Sequence, residues 1–141
     1  MNSVGYTLLM ENCIFCKIGS GELPTSTTHD DALSVSFLDI NPVERGHILV
    51  IPKKHYAWMI ETPDEIITHL FTIAKKIMQA QKEALHCDYT MLSVVGKDVP
   101  HFHIHLIPKI LGESAHTDKH YTYSDGEQEN IVTALRASLS H

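Results

Sequence analysis

The sequence lacks any apolar segment that could cross a membrane, since a segment such as HILVIP has six residues where about 20 are needed. It also lacks the pattern of a secretory signal, because VGYTLLM follows no basic stretch and is followed at once by two polar residues. Cysteine is scarce, with three residues in the chain. We therefore expect a cytoplasmic protein without disulfides, in which Cys13, Cys16 and Cys87 serve metal binding, redox chemistry or packing.

Basic side chains are too few and too scattered to form a surface that binds a long nucleic acid. The formal net charge is -6, and Lys and Arg adjoin only in the pairs Lys53-Lys54 and Lys75-Lys76. Both observations argue against a long nucleic acid as partner but leave room for a small phosphate ligand. The 43% hydrophobic and 20% charged residues are typical of a globular chain, and 141 residues are enough for one domain.

The apolar pattern locates four strands. ALSVSFLDI (32–40) alternates apolar and polar residues, and HILVIP (47–52) follows after a turn, as in an antiparallel pair. YTMLSVV (89–95) and HFHIHLIPKI (101–110) are close enough for a hairpin. With a long helix between the pairs and a terminal helix from about Gly126, the order predicts an α+β fold: an antiparallel sheet of about five strands with helices on one face.

Residues 62–86 carry the clearest helix signal. Thr62 as N-cap, Pro63 at the first helical position and Glu65 three residues after the cap make a capping-box pattern. An apolar stripe at helical spacing follows and is expected to pack on the sheet: Ile66, Leu70, Ile73, Ala74, Ile77 and Ala84.

The segment HFHIHLIP places a histidine at every second position. On a strand, His101, His103 and His105 would share one face, roughly 6.6 Å apart from one to the next. A merely solvated face would favour Thr, Lys and Glu, so the pattern indicates a shared ligand. Two chemistries fit it: attack of a neutral imidazole on phosphorus beside histidines that hold the phosphate oxygens, or a zinc ion that activates water. The spacing does not separate them.

The segment CIFC is a single C-x-x-C pair. It fits half of a tetrahedral zinc site, a redox pair or two inert cysteines. The order of elements lacks the parallel strand and helix unit of a thioredoxin-like motif, and the sequence has no second C-x-x-C. Zinc, with two distant histidines as the remaining ligands, is the favoured interpretation.

These motifs resemble the histidine triad superfamily. HFHIHLI fits its signature, and CIFCKIGSGELP, FLDINPVERGHILVIPKKH and VPHFHIHLIPK look like its other blocks, in the same order and at similar spacing. The resemblance runs from about Cys13 to Lys109 and favours the nucleotide-binding branch with a C-x-x-C zinc site. It implies one domain over residues 1–141, with a core at about 12–110 and a C-terminal extension with a helix at 111–141.

The resemblance also implies residue roles. His103 would be the nucleophile that attacks the α-phosphorus of a nucleotide conjugate, and His105 and His47 would complete the catalytic set. Asp39 would hold the ribose hydroxyls. The base pocket would be lined by Ile14, Phe15, Ile18, Phe37, Leu38 and Ile40. A structural zinc, in a closed set without an open coordination position, would be bound by Cys13, Cys16, His55 and His101.

The loop before the triad departs from the family pattern. Many members carry a longer loop whose polar side chain contacts phosphate or the leaving group, whereas this chain has VVGKDVP. The corresponding positions fall near Lys97 and Asp98. We expect both at the nucleotide site, with Lys97 supplying the phosphate contact.

The resemblance thus implies a homodimeric hydrolase of nucleoside phosphoramidates or related nucleoside monophosphate conjugates, with a purine nucleotide as ligand. Two alternatives stay open. A dinucleoside polyphosphate hydrolase would use the same histidines, and a nucleotide sensor or interaction protein would bind without turnover.

Overall fold

The structure is a computed structural model that describes residues 12–116 and 119–140. Its helices are α1 (Ile14–Gly19), α2 (Asp64–Leu85) and α3 (Glu127–Leu139), and a short 3₁₀ helix spans Met59–Glu61. Its strands are β1 (Thr27–Asp30), β2 (Ser34–Leu38), β3 (Ile48–Pro52), β4 (Tyr89–Ser93) and β5 (Ile104–Lys109). Within the described ranges, no helix is both long enough and apolar enough to span a membrane.

The strands form one antiparallel sheet in the order β1-β2-β3-β5-β4. The central pairing joins β3 to β5, with Leu49 opposite His105 and Ile48 opposite Leu106. β4 and β5 pair as predicted, and so do β2 and β3. The predicted α+β fold, with a long helix and a C-terminal helix on an antiparallel sheet, is confirmed.

Two details of the strands differ from the prediction. β1 has the sequence TTHD, whose apolar alternation is too weak to locate a strand. β5 begins at Ile104, so His101 and His103 precede the ladder instead of lying in it. The reason is that the backbone bonds elsewhere: the N–H of Phe102 donates to the carbonyl oxygen of Tyr56 (2.6 Å).

Helix α2 has the predicted apolar stripe but not the predicted capping box. The hydroxyl of Thr62 donates to the carbonyl oxygen of Trp58 (3.0 Å), which closes the preceding 3₁₀ turn. The helix begins at Asp64 with Pro63 as its N-cap, and no side chain caps it. The capping box was wrong because the Thr62 hydroxyl is used by the turn before the helix.

The sheet carries a core on each face, as the alternation of strand side chains requires. Under α2 and α3 lies the larger core: Leu38, Ile48, Val50, Leu70, Ile73, Ala74, Ile77, Ala80, Phe102, Ile104, Leu106, Ile131 and Leu135. Under α1 lies the smaller core: Cys13, Phe15, Ile18, Val35, Phe37, Leu49 and Ile51. Neighbouring residues of one strand therefore serve different faces.

One buried polar side chain ties α2 to the sheet and to the turn between β2 and β3. Gln81 is fully buried. Its amide nitrogen donates to the carbonyl oxygens of Gly46 (3.0 Å) and Leu106 (3.1 Å), and its amide oxygen accepts a hydrogen bond from the hydroxyl of Thr90 (3.0 Å). Three polar groups thus depend on one side chain for these hydrogen bonds.

We expect Gln81→Met to lower the free energy of unfolding by about 3 kcal/mol, because methionine keeps the volume but leaves buried polar groups unpaired. Urea denaturation measures the difference. Gln79→Met is the matched control at an exposed position of α2, with an expected change below about 0.5 kcal/mol. Equal losses in the two variants would contradict a role for the Gln81 hydrogen bonds.

Candidate active site

A cleft of about 560 Å³ opens on the α1 side of the sheet. It is bounded by α1, by the turn between β2 and β3, and by the segment that leads into β5. Residues from the predicted nucleotide site and catalytic set line it: Ile14, Phe15, Ile18, Phe37, Asp39, Ile40, His47, Asp98, His103 and His105. The cleft therefore combines an apolar wall with a group of histidines.

Two residues predicted for the nucleotide site lie elsewhere. Leu38 is buried in the larger core, because strand alternation turns it away from its neighbour Phe37. Lys97 is exposed in the loop before β5 and is not among the described residues that line the cleft, whereas Asp98 is. The geometry gives no support to a phosphate contact from Lys97.

The sequence assigned no role to several residues that line the cleft: Leu23, Pro24, Thr25, Asn41, Val43, Leu49, Val99 and His120. Leu49 carried a usable signal, since it lies two residues after His47 and so shares its face. His120 carried none, because only the tertiary fold brings residues 119–127, the C-terminal segment, to the cleft.

His47 and His105 form a hydrogen-bonded pair whose direction can be assigned. The N–H of Val43 donates to Nδ1 of His47 (3.2 Å), so a neutral His47 ring carries its proton on Nε2. That nitrogen lies 3.0 Å from Nδ1 of His105 and 3.5 Å from a carboxylate oxygen of Asp39. His47 therefore donates to His105, and the proton of a neutral His105 lies on its own Nε2.

His103 has the opposite assignment. Its Nδ1 lies 2.8 Å from the carbonyl oxygen of His101, which can only accept, so Nδ1 carries the proton and Nε2 keeps a lone pair. Its ring makes edge contacts with the rings of Phe15 (centroids 5.0 Å apart) and His105 (4.9 Å). His103 is buried, and these contacts fix the orientation of its ring.

Burial keeps the His47 and His105 imidazoles neutral. It lowers the pKa of His47 to about 4, although the nearby carboxylate of Asp39 acts in the opposite direction. It also lowers the pKa of His105, and positive charge on His103 acts in the same direction. The pair therefore works by oriented hydrogen bonds instead of by a fixed positive charge.

A second cluster unites the four predicted zinc ligands. The ligand atoms of Cys13, Cys16, His55 and His101 all lie within 4.8 Å of one another. Nδ1 of His55 is 3.2 Å from the sulfur of Cys16, and Nδ1 of His101 is 3.4 Å from that of Cys13. A tetrahedral zinc ion, with bonds of about 2.3 Å to sulfur and 2.0–2.1 Å to nitrogen, would place such atoms about 3.6 Å apart.

The hydrogen bonds and chemistry of this cluster also fit zinc. Nε2 of His101 donates to the carbonyl oxygen of Pro52 (2.8 Å), which leaves the lone pair of Nδ1 for the sulfur side. Burial lowers the pKa of His101 to about 4 and also lowers the pKa of His55. Both rings are therefore neutral and can offer a nitrogen lone pair to a metal ion. Burial raises the pKa of the Cys16 thiol to about 12, and a bound cation would oppose that shift by favouring the thiolate.

Comparison with known proteins identifies the family of this chain. The profile of the HIT domain matches residues 20–110. The chain belongs to the HIT, or histidine triad, family. It is 39% identical over 105 residues to an uncharacterised HIT-like protein of Methanocaldococcus jannaschii, covering 72% of this chain and 81% of that protein.

Two relatives have named activities. An adenosine 5'-monophosphoramidase of Saccharomyces cerevisiae is 43% identical over 101 residues, covering 69% of this chain and 62% of that protein. An adenylylsulfatase of Arabidopsis thaliana is 33% identical over 140 residues, covering 93% of this chain and 71% of that protein. Among solved structures, a zinc-bound histidine triad family protein from Mycobacterium smegmatis is 32% identical with a TM-score of 0.79, covering 93% and 95% of the two chains.

We expect the His47 ring to stay neutral from about pH 8 to pH 5, because its pKa lies near 4 against about 6.5 in an unfolded chain. Between these two values the unfolded chain binds a proton that the folded chain does not, so His47 makes the folded state less stable as the pH falls toward 4. NMR titration of the ring nitrogens measures the midpoint, with His47→Gln for assignment. A His47 midpoint above pH 6 would contradict the expectation.

Proposed function

We propose that this chain hydrolyses nucleoside phosphoramidates or related nucleoside monophosphate conjugates through a nucleotidyl-histidine intermediate on His103. The observation that carries the proposal is the hydrogen bond from Nδ1 of His103 to the carbonyl oxygen of His101, which leaves the Nε2 lone pair on a ring that lines the cleft. The relatives named as a monophosphoramidase and an adenylylsulfatase support the substrate class.

The first step forms the intermediate. The Nε2 lone pair of His103 attacks the α-phosphorus, and the bond between phosphorus and the leaving group breaks as the new N–P bond forms. The leaving nitrogen or oxygen keeps the electron pair of the broken bond, and a leaving amine takes a proton from water. Nε2–H of His105 would donate to a phosphate oxygen while His47 donates to Nδ1 of His105, which stabilises the charge that develops on phosphate.

The second step releases the product. A water molecule attacks the phosphorus, the N–P bond breaks, and its electron pair returns to Nε2 of His103. The attacking water gives up its proton to solvent, and the nucleoside monophosphate leaves with a new P–O bond. The enzyme is restored in its starting tautomer because Nδ1 of His103 keeps its proton throughout.

The shape of the cleft supports a nucleotide as the bound group. Phe15, Ile18 and Phe37 give it an apolar wall of the kind that receives a purine. Asp39 lies in the same cleft and would accept hydrogen bonds from the ribose hydroxyls. One of its oxygens also accepts the N–H of Asn41 (2.9 Å), which fixes the carboxylate.

We expect His103→Ala to lower kcat/KM for a fluorogenic adenosine phosphoramidate by at least about 10³-fold, because the nucleophile is removed. Binding of AMP should persist. Wild type and variant are assayed side by side on the phosphoramidate, a diadenosine polyphosphate and adenylyl sulfate, with His116→Ala as a control at an exposed histidine.

The same panel separates the alternatives. Preference for the diadenosine polyphosphate would indicate the dinucleoside polyphosphate hydrolase. AMP binding without turnover of any substrate would indicate a nucleotide sensor and contradict the proposal.

We also propose that Cys13, Cys16, His55 and His101 hold a structural zinc. In such a closed site, bound zinc stabilises the folded state and has no open coordination position at which it could act as a Lewis acid. The ligands come from the start of α1, from the segment after β3 and from the segment before β5, so the ion would cross-link three parts of the chain. The zinc-bound mycobacterial structure supports this assignment.

We expect Cys16→Ser to reduce bound zinc from about one ion per chain to a small fraction, and to lower the Tm, because one of four ligands is lost. Metal analysis and calorimetry measure the two effects. Cys87→Ser is the control, since it removes a buried thiol that does not belong to the cluster and should leave the zinc content unchanged. Full zinc content in Cys16→Ser would refute the assignment.

We also propose that the chain forms a homodimer, as the family resemblance implies. β4 lies at one edge of the sheet. Exposed apolar side chains cluster where β4 ends: Trp58, Met59, Ile60, Val94 and Val95. An exposed apolar patch beside a sheet edge suits an interface with a second copy.

A further inference from the structure

The turn between β2 and β3 carries two residues of the proposed active site. Asp39 lies at its start and His47 at its end, and the N–H of Asp39 donates to the carbonyl oxygen of His47 (2.9 Å). Between them, the N–H of Val43 donates to Nδ1 of His47 and so sets the tautomer of that ring. The conformation of this turn therefore decides whether His47 presents a proton to His105.

The C-terminal segment bonds to this turn at two backbone positions. The N–H of Tyr121 donates to the carbonyl oxygen of Pro42 (2.8 Å), and the N–H of Gly46 donates to the hydroxyl oxygen of Tyr123 (3.0 Å). Gly46 is buried, and its carbonyl oxygen is held by Gln81. Both polar backbone groups of the residue before His47 are thus held, one by α2 and the other by Tyr123.

Glu127, the first residue of α3, organises the same contact. One carboxylate oxygen accepts hydrogen bonds from Nε of Arg45 (2.9 Å) and from the hydroxyl of Tyr121 (2.7 Å). The other accepts the N–H of Ser124 (3.0 Å). Glu127 therefore links the tip of the turn to the segment that crosses it.

This contact is supported by the packing of α3 on the sheet. Ile131 and Leu135 bury α3 in the larger core, and the ring of Tyr123 packs against that core. The same segment brings His120 to the wall of the cleft. The segment also lies beyond the part of the chain that matches the HIT domain, which ends at residue 110.

We propose that the C-terminal segment completes the active site, with Tyr123 and Glu127 as positioning residues that hold the β2–β3 turn so that His47 meets His105. The proposal rests on the proposed function for its effect on turnover, and on the hydrogen bonds of the turn for its effect on His47. The effect on turnover and the effect on His47 are measured separately.

Tyr123→Phe is the sharpest variant, since it removes one oxygen and keeps the ring that packs on the core. The loss of one hydrogen bond at Gly46 should raise the hydrogen exchange rate of the Val43 amide by about tenfold and lower kcat by about tenfold. The Kd for AMP should stay within about twofold, because the apolar wall is unchanged and the Asp39 carboxylate keeps its hydrogen bond from the N–H of Asn41. A fall in Tm with unchanged exchange and unchanged kcat would mean a merely structural role and would overturn the proposal.

A double-mutant cycle tests whether the effect passes through His47. In a His47→Ala background, Tyr123→Phe should lower kcat no further, since the group that it positions is gone. An undiminished loss of kcat in that background would overturn the proposal.

Glu127→Gln weakens the hydrogen bonds that link Arg45 of the turn to Tyr121 of the C-terminal segment, and it has a matched control. It should shift the ring nitrogen signals of His47 and lower kcat by about threefold to tenfold, because a neutral amide is a weaker acceptor than a carboxylate. Glu129→Gln, an exposed position on the first turn of α3, should do neither. Equal effects of the two variants would overturn the assignment.

A chain without turnover would refute the proposed function but not this inference. The Val43 amide exchange and the His47 ring signals would then decide it. Unchanged values in both Tyr123→Phe and Glu127→Gln would overturn it.

Discussion

The pairing of β3 with β5 is the constraint on which the rest of this structure depends. The chain leaves β3, crosses the sheet in α2, forms β4 at the far edge and returns as β5 between β4 and β3. Leu49 then lies opposite His105, so that His47, two residues before Leu49, comes within 3.0 Å of the His105 ring. Because a slip of one residue would turn each side chain to the opposite face, this register is what brings the histidines together in one cleft.

The three alternating histidines do not act as one row. His101 and His103 precede β5, and the backbone there bonds to the segment after β3. His101 turns its ring to the cysteine pair, and its carbonyl oxygen accepts the proton of His103 Nδ1. The same residue therefore belongs to the proposed zinc cluster through its side chain and sets the tautomer of the proposed nucleophile through its backbone. A shift of His101 in the proposed zinc cluster would therefore also move the carbonyl oxygen that orients His103.

The arrangement of the histidines in the cleft depends on the direction of their hydrogen bonds more than on charge. Burial lowers the pKa of His47 and of His105, so the two rings are uncharged donors and acceptors at neutral pH. An uncharged network keeps its order only if each donor has a fixed acceptor. The Val43 N–H orients the His47–His105 pair, and the carbonyl oxygen of His101 separately orients His103. Backbone groups therefore decide which ring nitrogens carry protons, and the carboxylate of Asp39 lies 3.5 Å from Nε2 of His47.

The sequence by itself determined the strands with strong alternation, the apolar stripe of α2 and the motifs that carry the histidines and cysteines, because these are short-range patterns with a period of two or of 3.6 residues. It did not determine β1, the N-cap of α2 or the position of Leu38. In those places a neighbouring turn or the opposite face of the strand competes with the local pattern. Gln81 and His120 had no local signal, since their partners lie far away in the chain. Only the tertiary structure decided that the C-terminal segment meets the turn before His47, because contacts between distant segments follow from packing and strand register, which no local pattern encodes.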